Sequence, residues 1–286
     1  MAKPRKLKPE DQKSEPSSAI LRHQKLCLYI DFDSRRIFGF TELEIAVPDT
    51  GIVALHASNL AIERVTVDGE PVEFDHFSHF PEVESEKRWS SIDNVSSAAD
   101  AASATYVSAL ERESNPNLII KCEKSLKLVN EQAEKPNSEN GGIHYDLEFT
   151  VADNLVAVST GSLLHQILSN DDPPRKTYVY RIKVPVSARW ISLVVAPFEI
   201  LPDQHSGVIS HMCLPGYMQK LLNTVNFFHS AFSHYEVYLS ASFPFESYKQ
   251  VFIPPEMAVT SLSSGASISI FGSQILFDER IIDQVC

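Results

Sequence analysis

Ile37-Phe38-Gly39-Phe40-Thr41-Glu42-Leu43-Glu44-Ile45-Ala46-Val47, closed by the turn signal Pro48-Asp49-Thr50-Gly51, decides the reading of this chain. Leu43, Ile45 and Val47 alternate with Glu42 and Glu44, so one face is apolar and the other wet, the period of a half-buried strand. The stretch before it behaves alike, with Leu26, Leu28 and Ile30 at period two. After the turn, Ile52–His56 resumes a strand, Ala61–Val67 alternates Ile62, Val65 and Val67, and Asp68-Gly69 is a tight hairpin signal leading into Pro71–Phe74. Short strands separated by regular turns predict an antiparallel sandwich.

Outward from this block the rhythm breaks and returns. Residues 82–117 hold Glu82, Glu84 and Glu86, a Ser/Ala-rich run and Asn115-Pro116-Asn117, and read as an insertion with a marginal helix near Ala98–Glu111. Leu118–Cys122 and Leu126–Val129 are candidate strands, and Glu131–Gly142 is a second polar loop. Strands are expected again at Tyr145–Val151, Leu155–Thr160, Thr177–Val184 and Trp190–Val195, with the sandwich ending near Leu201-Pro202. From Pro215 the period becomes helical. Met218, Leu221, Leu222, Val225, Phe228 and Phe232 predict one amphipathic helix of roughly 17–20 residues. Gln250–Ile253 and Ile268–Phe277 follow as strand-like runs. The expected organisation is a basic tail over 1–18, a sandwich over 19–202 and the incomplete start of a second domain over 203–286. That start is expected to leave its helical stripe uncovered.

Composition narrows the function classes. The 286 residues are 43% hydrophobic and 22% charged, a globular balance. Glycine is scarce at 10 residues, and neither G-x-G-x-x-G nor G-x-x-x-x-G-K occurs, which argues against dinucleotide and P-loop sites. No apolar run reaches the ~20 residues of a spanning helix, and the amino terminus has no secretory pattern, so a soluble intracellular chain is expected. The net charge of −12 disfavours wrapping nucleic acid with the whole surface. The basic cluster Lys3, Arg5, Lys6, Lys8 and Lys13 and the pair Arg35-Arg36 are the local candidates for import or DNA contacts. A solvated terminus and a turn beside Asp31 and Asp33 are the plainer readings of the two.

A catalytic constellation is not visible. There is no G-x-S-x-G and no H-E-x-x-H. His229 and His234, five apart on a helix, point about 140° apart and cannot easily share a metal. His76 and His79 lie among Phe74, Phe77 and Phe80 and read as an aromatic core edge. Cys27, Cys122, Cys213 and Cys286 are widely separated and read as buried or incidental thiols. The acidic pairs Glu42/Glu44, Asp171/Asp172 and Asp278/Glu279 are not tied to a pocket.

Taken in order, the blocks resemble the front of the gluzincin zinc-aminopeptidase architecture. Phe38–Ile45 resembles its early Gly-x-Thr strand, and Leu55–Ile62 with Val65–Gly69 its Leu-His-Ala block. Val158-Ser159-Thr160-Gly161 and Trp190–Glu199 resemble its later strands, and Phe227–Tyr238 with Phe243–Val251 the helix and strand opening the peptidase domain. The resemblance implies an aminopeptidase-like β-sandwich followed by the start of an α/β peptidase-like domain, mainly β with some α. It also implies where chemistry should sit. The carboxylate that anchors a substrate amine in the peptidases falls at Ile268, within Gly265-Ala266-Ser267-Ile268-Ser269, and an apolar residue cannot bind an ammonium. The zinc helix would come later, so no metal and no cofactor are expected.

The wording of Tyr145–Val151, Val186–Trp190 and Val195–Glu199 resembles a non-catalytic branch of this architecture, the second TBP-associated-factor family of general transcription factor TFIID, in its plant form. That resemblance implies a nuclear, non-enzymatic subunit acting in preinitiation complex assembly and core-promoter binding. Its partners would be other TFIID subunits and promoter DNA, with no membrane and no small-molecule substrate. The family is far longer, so a truncated form is expected. Gly141-Gly142-Ile143-His144 runs straight into Tyr145-Asp146-Leu147, where the family places extra residues, which suggests an internal deletion. The competing reading is a fragment or accessory domain of a zinc aminopeptidase.

Overall fold

The computed structural model describes residues 20–47, 51–57, 59–77, 116–122, 142–257 and 262–278. The chain divides into two compact units, one formed by residues 1–20 and 45–134, the other by 21–44 and 135–286. The basic tail with Lys3, Arg5, Lys6 and Lys8, the helix expected near Ala98–Glu111 and the strand expected at Leu126–Val129 lie outside the described residues.

The opening motif forms as read. β1 (Ile20–Asp31) and β2 (Arg36–Ala46) are neighbours in one sheet. Their turn is pinned by Asp31, whose Oδ1 accepts the N–H groups of Asp33 at 3.0 Å and Ser34 at 3.3 Å, and Arg35 takes a φ of +52° there. Gly39 is required by close approach. A Cβ at this position would lie 1.9 Å from the Cys27 carbonyl oxygen.

The smaller unit holds β3 (Ile52–Leu55), β4 (Thr66–Val67), β5 (Glu70–Pro71), β6 (Phe74–His76) and β7 (Leu118–Lys121). Asp68 and Gly69, both at positive φ, make the expected β4–β5 hairpin turn. β7 pairs antiparallel with both β3 and β6. Val53, Ala57, Leu118 and Ile120 form its core with flanking Ile62, Val65 and Phe74. Asn117, fully buried, satisfies the turn after β3: its Oδ1 accepts Ala57 N–H at 2.6 Å and its Nδ2 donates to the Ala57 carbonyl at 3.2 Å.

The larger unit is built on three sheets. The first has the order β10-β11-β8-β1-β2, with β8 (Ile143–Ala152), β10 (Ser162–Leu168) and β11 (Arg175–Val186). β8 alternates cleanly, burying Tyr145, Leu147, Phe149 and Val151 against Tyr178, Tyr180 and Ile182 of β11. The expectation of a wholly antiparallel sandwich fails here, because β8 runs parallel to β1. More than a hundred residues separate β1 from β8, ample for the crossover that parallel neighbours need. The second sheet is the ribbon of β9 (Val156–Ser159) and β12 (Leu193–Ala196).

The third sheet runs β13-β14-β15-β17-β16, with β13 (Glu199–Pro202), β14 (Ile209–Cys213), β15 (Tyr248–Ile253), β16 (Leu262–Ser264) and β17 (Ile268–Gly272). β14, β15 and β17 are parallel and lie in the 203–286 segment, outside the expected sandwich. Met212, Val251, Ile253 and Ile268 pack with Val158, Ala196 and Phe198 of the ribbon side. Cys213 and Phe252 instead meet α1 (Met218–Val225) through Leu221 and Val225.

Where the sequence predicts one helix there are two, α1 and α2 (Phe228–Leu239), interrupted at Asn226-Phe227. Thr224 gives a physical reason. Its hydroxyl donates to the Lys220 carbonyl at 2.8 Å and accepts the Phe277 N–H at 2.9 Å, diverting the end of α1 toward the strand connections. The expected uncovered stripe is therefore corrected in part. Leu221 and Val225 are buried on their own sheet, and Met218 and Phe228 pack against that core.

Candidate functional site

Ile268, the position where the resemblance places an amine-binding carboxylate, is the first residue of β17 and wholly inaccessible to solvent. It stands in register with Lys249 on β15 and packs with Val251 and Met212. This is core, not cleft. No substrate amine can reach it, and its neighbour across the ladder, Lys249, brings an amine rather than a carboxylate.

Lys249 is the functional oddity that pattern reading did not single out. It is 5% exposed. Its Nζ donates to the Gly161 carbonyl and, at 3.0 Å, to Ser247 Oγ, and lies 5.4 Å from the centre of the Tyr180 ring. Ser247 Oγ donates to the same Gly161 carbonyl at 3.0 Å, while the Gly161 N–H donates to Ser267 Oγ at 2.7 Å. One residue, Gly161, at the turn between β9 and β10, is thus held at both its N–H and its carbonyl by side chains in or beside the third sheet. Burial pushes the Lys249 amine down to about 7. Among the described residues no carboxylate pairs with it. The cluster can join two sheets; it offers no open position for a reactant.

The remaining candidates are dispersed. Arg35 and Arg36 sit exposed at the β1–β2 turn, close in sequence to Asp31 and Asp33, a mixed-charge tip. His76 Nε2 donates to the Ala57 carbonyl at 3.0 Å, a packing role. His229 lies 3.6 Å from Asp203 and its ring is 5.2 Å from that of His205. His211 was not legible beforehand: it is buried on β14, bonded through Nδ1 to Gln250 Oε1 at 2.9 Å, and burial lowers its basicity. Among the described residues no group of three or more His, Cys, Asp or Glu is arranged to hold a metal. Cys27 and Cys213 are buried free thiols, pushed up to about 12 and about 11 chiefly by that burial, and Cys122 is partly covered.

Exposed apolar surface is more abundant than chemistry. On α2, Phe228 and Phe232 pack among Tyr248 and Phe243. Tyr235 and Leu239 continue the same stripe by helical spacing but are 63% and 66% exposed, and Val237 and Tyr238 are more so. Such a patch should bind a hydrophobic dye. Tyr235→Glu with Leu239→Glu is expected to roughly halve dye fluorescence with little change in melting temperature. Unchanged fluorescence would mean that these residues are covered in solution.

No protein-family model matches the chain. Curated relatives do. Transcription initiation factor TFIID subunit 2 of Drosophila melanogaster is 44% identical over 138 residues, which is 48% of this chain and 11% of that protein. The Danio rerio protein of the same name is 29% identical over 323 aligned positions, covering 94% of this chain and 26% of its own length. The Gallus gallus protein is 28% identical over 326 positions, with 94% and 27% covered. Both of these aligned stretches are longer than the chain's 286 residues, so these two relatives carry residues with no counterpart here. The chain spans about a quarter of the length of these two and less of the first. These similarities lead to one statement: the chain is a homologue of proteins named transcription initiation factor TFIID subunit 2.

Proposed function

We propose that this chain acts as a non-enzymatic subunit of general transcription factor TFIID. In that role it contributes surfaces to assembly of the RNA polymerase II preinitiation complex and to core-promoter binding in the nucleus. The observation that carries the reading is similarity over 94% of the chain to proteins named as that subunit. An apolar, fully buried Ile268 at the position where the resemblance places an amine anchor supports it. A net charge of −12 favours protein partners, the other TFIID subunits, over extended DNA contact. Any DNA contact would fall to Lys3, Arg5, Lys6 and Lys8 and to Arg35 and Arg36. The reading requires no cofactor and no small-molecule substrate.

Hydrolysis of a leucyl-anilide by the purified chain, with and without added zinc, separates this role from that of an aminopeptidase fragment. No turnover above buffer is expected in either case. Turnover abolished by a chelator would overturn the non-enzymatic reading.

A further inference from the structure

We propose that the groove beside Trp190 binds an extended, acidic, proline-containing peptide, with a proline ring on the indole and a carboxylate on Arg189. The groove has a volume of about 690 Å³ and is lined by Gly142, Pro185, Arg189, Trp190, Phe245 and Ala266 among others. Most of its described lining is apolar, and among the described lining residues Arg189 carries the one charge.

Arg189 and Trp190 occupy a single turn of 3-10 helix (Ala188–Trp190), so their positions are fixed relative to each other. The guanidinium carbon lies 5.5 Å from the centre of the indole ring. At that distance the guanidinium makes a cation–π contact with the ring. Among the described residues no carboxylate lies within ion-pair distance of it. In a chain of net charge −12 an acidic ligand is repelled by most of the surface, so an unpaired cation inside an apolar groove defines where one can settle. A planar fork of this kind fits a carboxylate through two parallel hydrogen bonds.

The backbone of the groove explains why the ligand should be proline-rich rather than an added strand. The Trp190 N–H is donated to the Ser187 carbonyl at 2.9 Å, and the Ile191 N–H to the Ala188 carbonyl at 3.0 Å. The Trp190 carbonyl accepts from Ala266 N–H at 2.9 Å and from Thr160 Oγ1 at 3.2 Å. These main-chain groups are already committed, so strand addition finds no ladder along this turn. A polyproline II segment needs none, because it makes no backbone ladder and its rings stack on exposed aromatic side chains. Trp190, 42% exposed, supplies the stacking surface, and Phe245 lies in the same groove. Gly142 packs directly on the Pro185 backbone in this lining, where a Cβ would lie 2.8 Å from it.

The test uses the full chain carrying Trp89→Phe, which leaves Trp190 as the remaining indole of two. The probe is acetyl-Glu-Pro-Pro-Pro-Glu-amide, followed by indole fluorescence and by calorimetry. Saturable binding is expected, weakened at least about tenfold by Arg189→Gln, which lies on the surface and should leave the fold intact. The same peptide with glutamine for glutamate should lose a similar factor, and raised salt should weaken the acidic probe. The proposal is overturned by no saturable change at millimolar peptide, by equal binding to Arg189→Gln, or by equal affinity for the lysine version of the probe. Tighter binding of a short oligothymidylate at the same residues would also overturn it, showing a phosphate rather than a peptide site.

Discussion

Lys249→Met is expected to raise stability at pH 6 by on the order of 4 kcal/mol and to flatten the pH dependence of unfolding. The buried amine has a folded-state pKa of about 7, below its ordinary value of about 10.4, because burial disfavours the charge. Between those two values the unfolded chain binds more protons than the folded one. Stability therefore rises as pH rises from about 7 to about 10, and below about 7 the native state bears the whole cost of a buried cation. Methionine keeps the contact with Tyr180 and removes the charge, and Ser247 Oγ still satisfies the Gly161 carbonyl at 3.0 Å. Denaturant melts of both proteins at pH 6, 8 and 9.5 check this. An equal loss of stability at every pH would show that the amine is a net stabilising donor.

Gly161→Ala should be at least as damaging in the other direction. Gly161 has a φ of +89°, and a Cβ there would sit 2.6 Å from the Arg181 carbonyl oxygen and 2.8 Å from Ile182 Cγ1. Both obstacles belong to β11 in the main core, and the glycine's own N–H and carbonyl are held by Ser267, Ser247 and Lys249. The backbone can neither rotate nor retreat cheaply. A loss of about 3 kcal/mol or more is expected, seen as a lower denaturant midpoint with an unchanged slope. A loss below about 1 kcal/mol would mean that this joint yields and does not fix the sheets.

How much of this was legible depended on range. Alternation over Leu43, Ile45 and Val47, and again from Tyr145 to Val151, is a local property of strands and needed no partner to be read. β10 was missed because Leu163 and Leu164 are adjacent and the pairing shifts between Leu163 and His165, so period two never forms. The parallel pairing of β1 with β8 is a long-range choice that neither strand announces. The break between α1 and α2 depends on the Phe277 N–H reaching Thr224, a contact from fifty residues away. At the candidate site, Ile268 was identifiable because a resemblance gave it an expected neighbour set. Lys249 was not, since a lysine in a strand is ordinarily a wet-face residue and nothing local signals its burial.

The central claim concerns company rather than chemistry, and affinity purification of the tagged chain from nuclei, followed by mass spectrometry of what is retained, tests it most directly. The account predicts recovery of other TFIID subunits above an untagged control, surviving nuclease treatment because the contacts are protein to protein. Recovery of the chain with no TFIID subunit would contradict it.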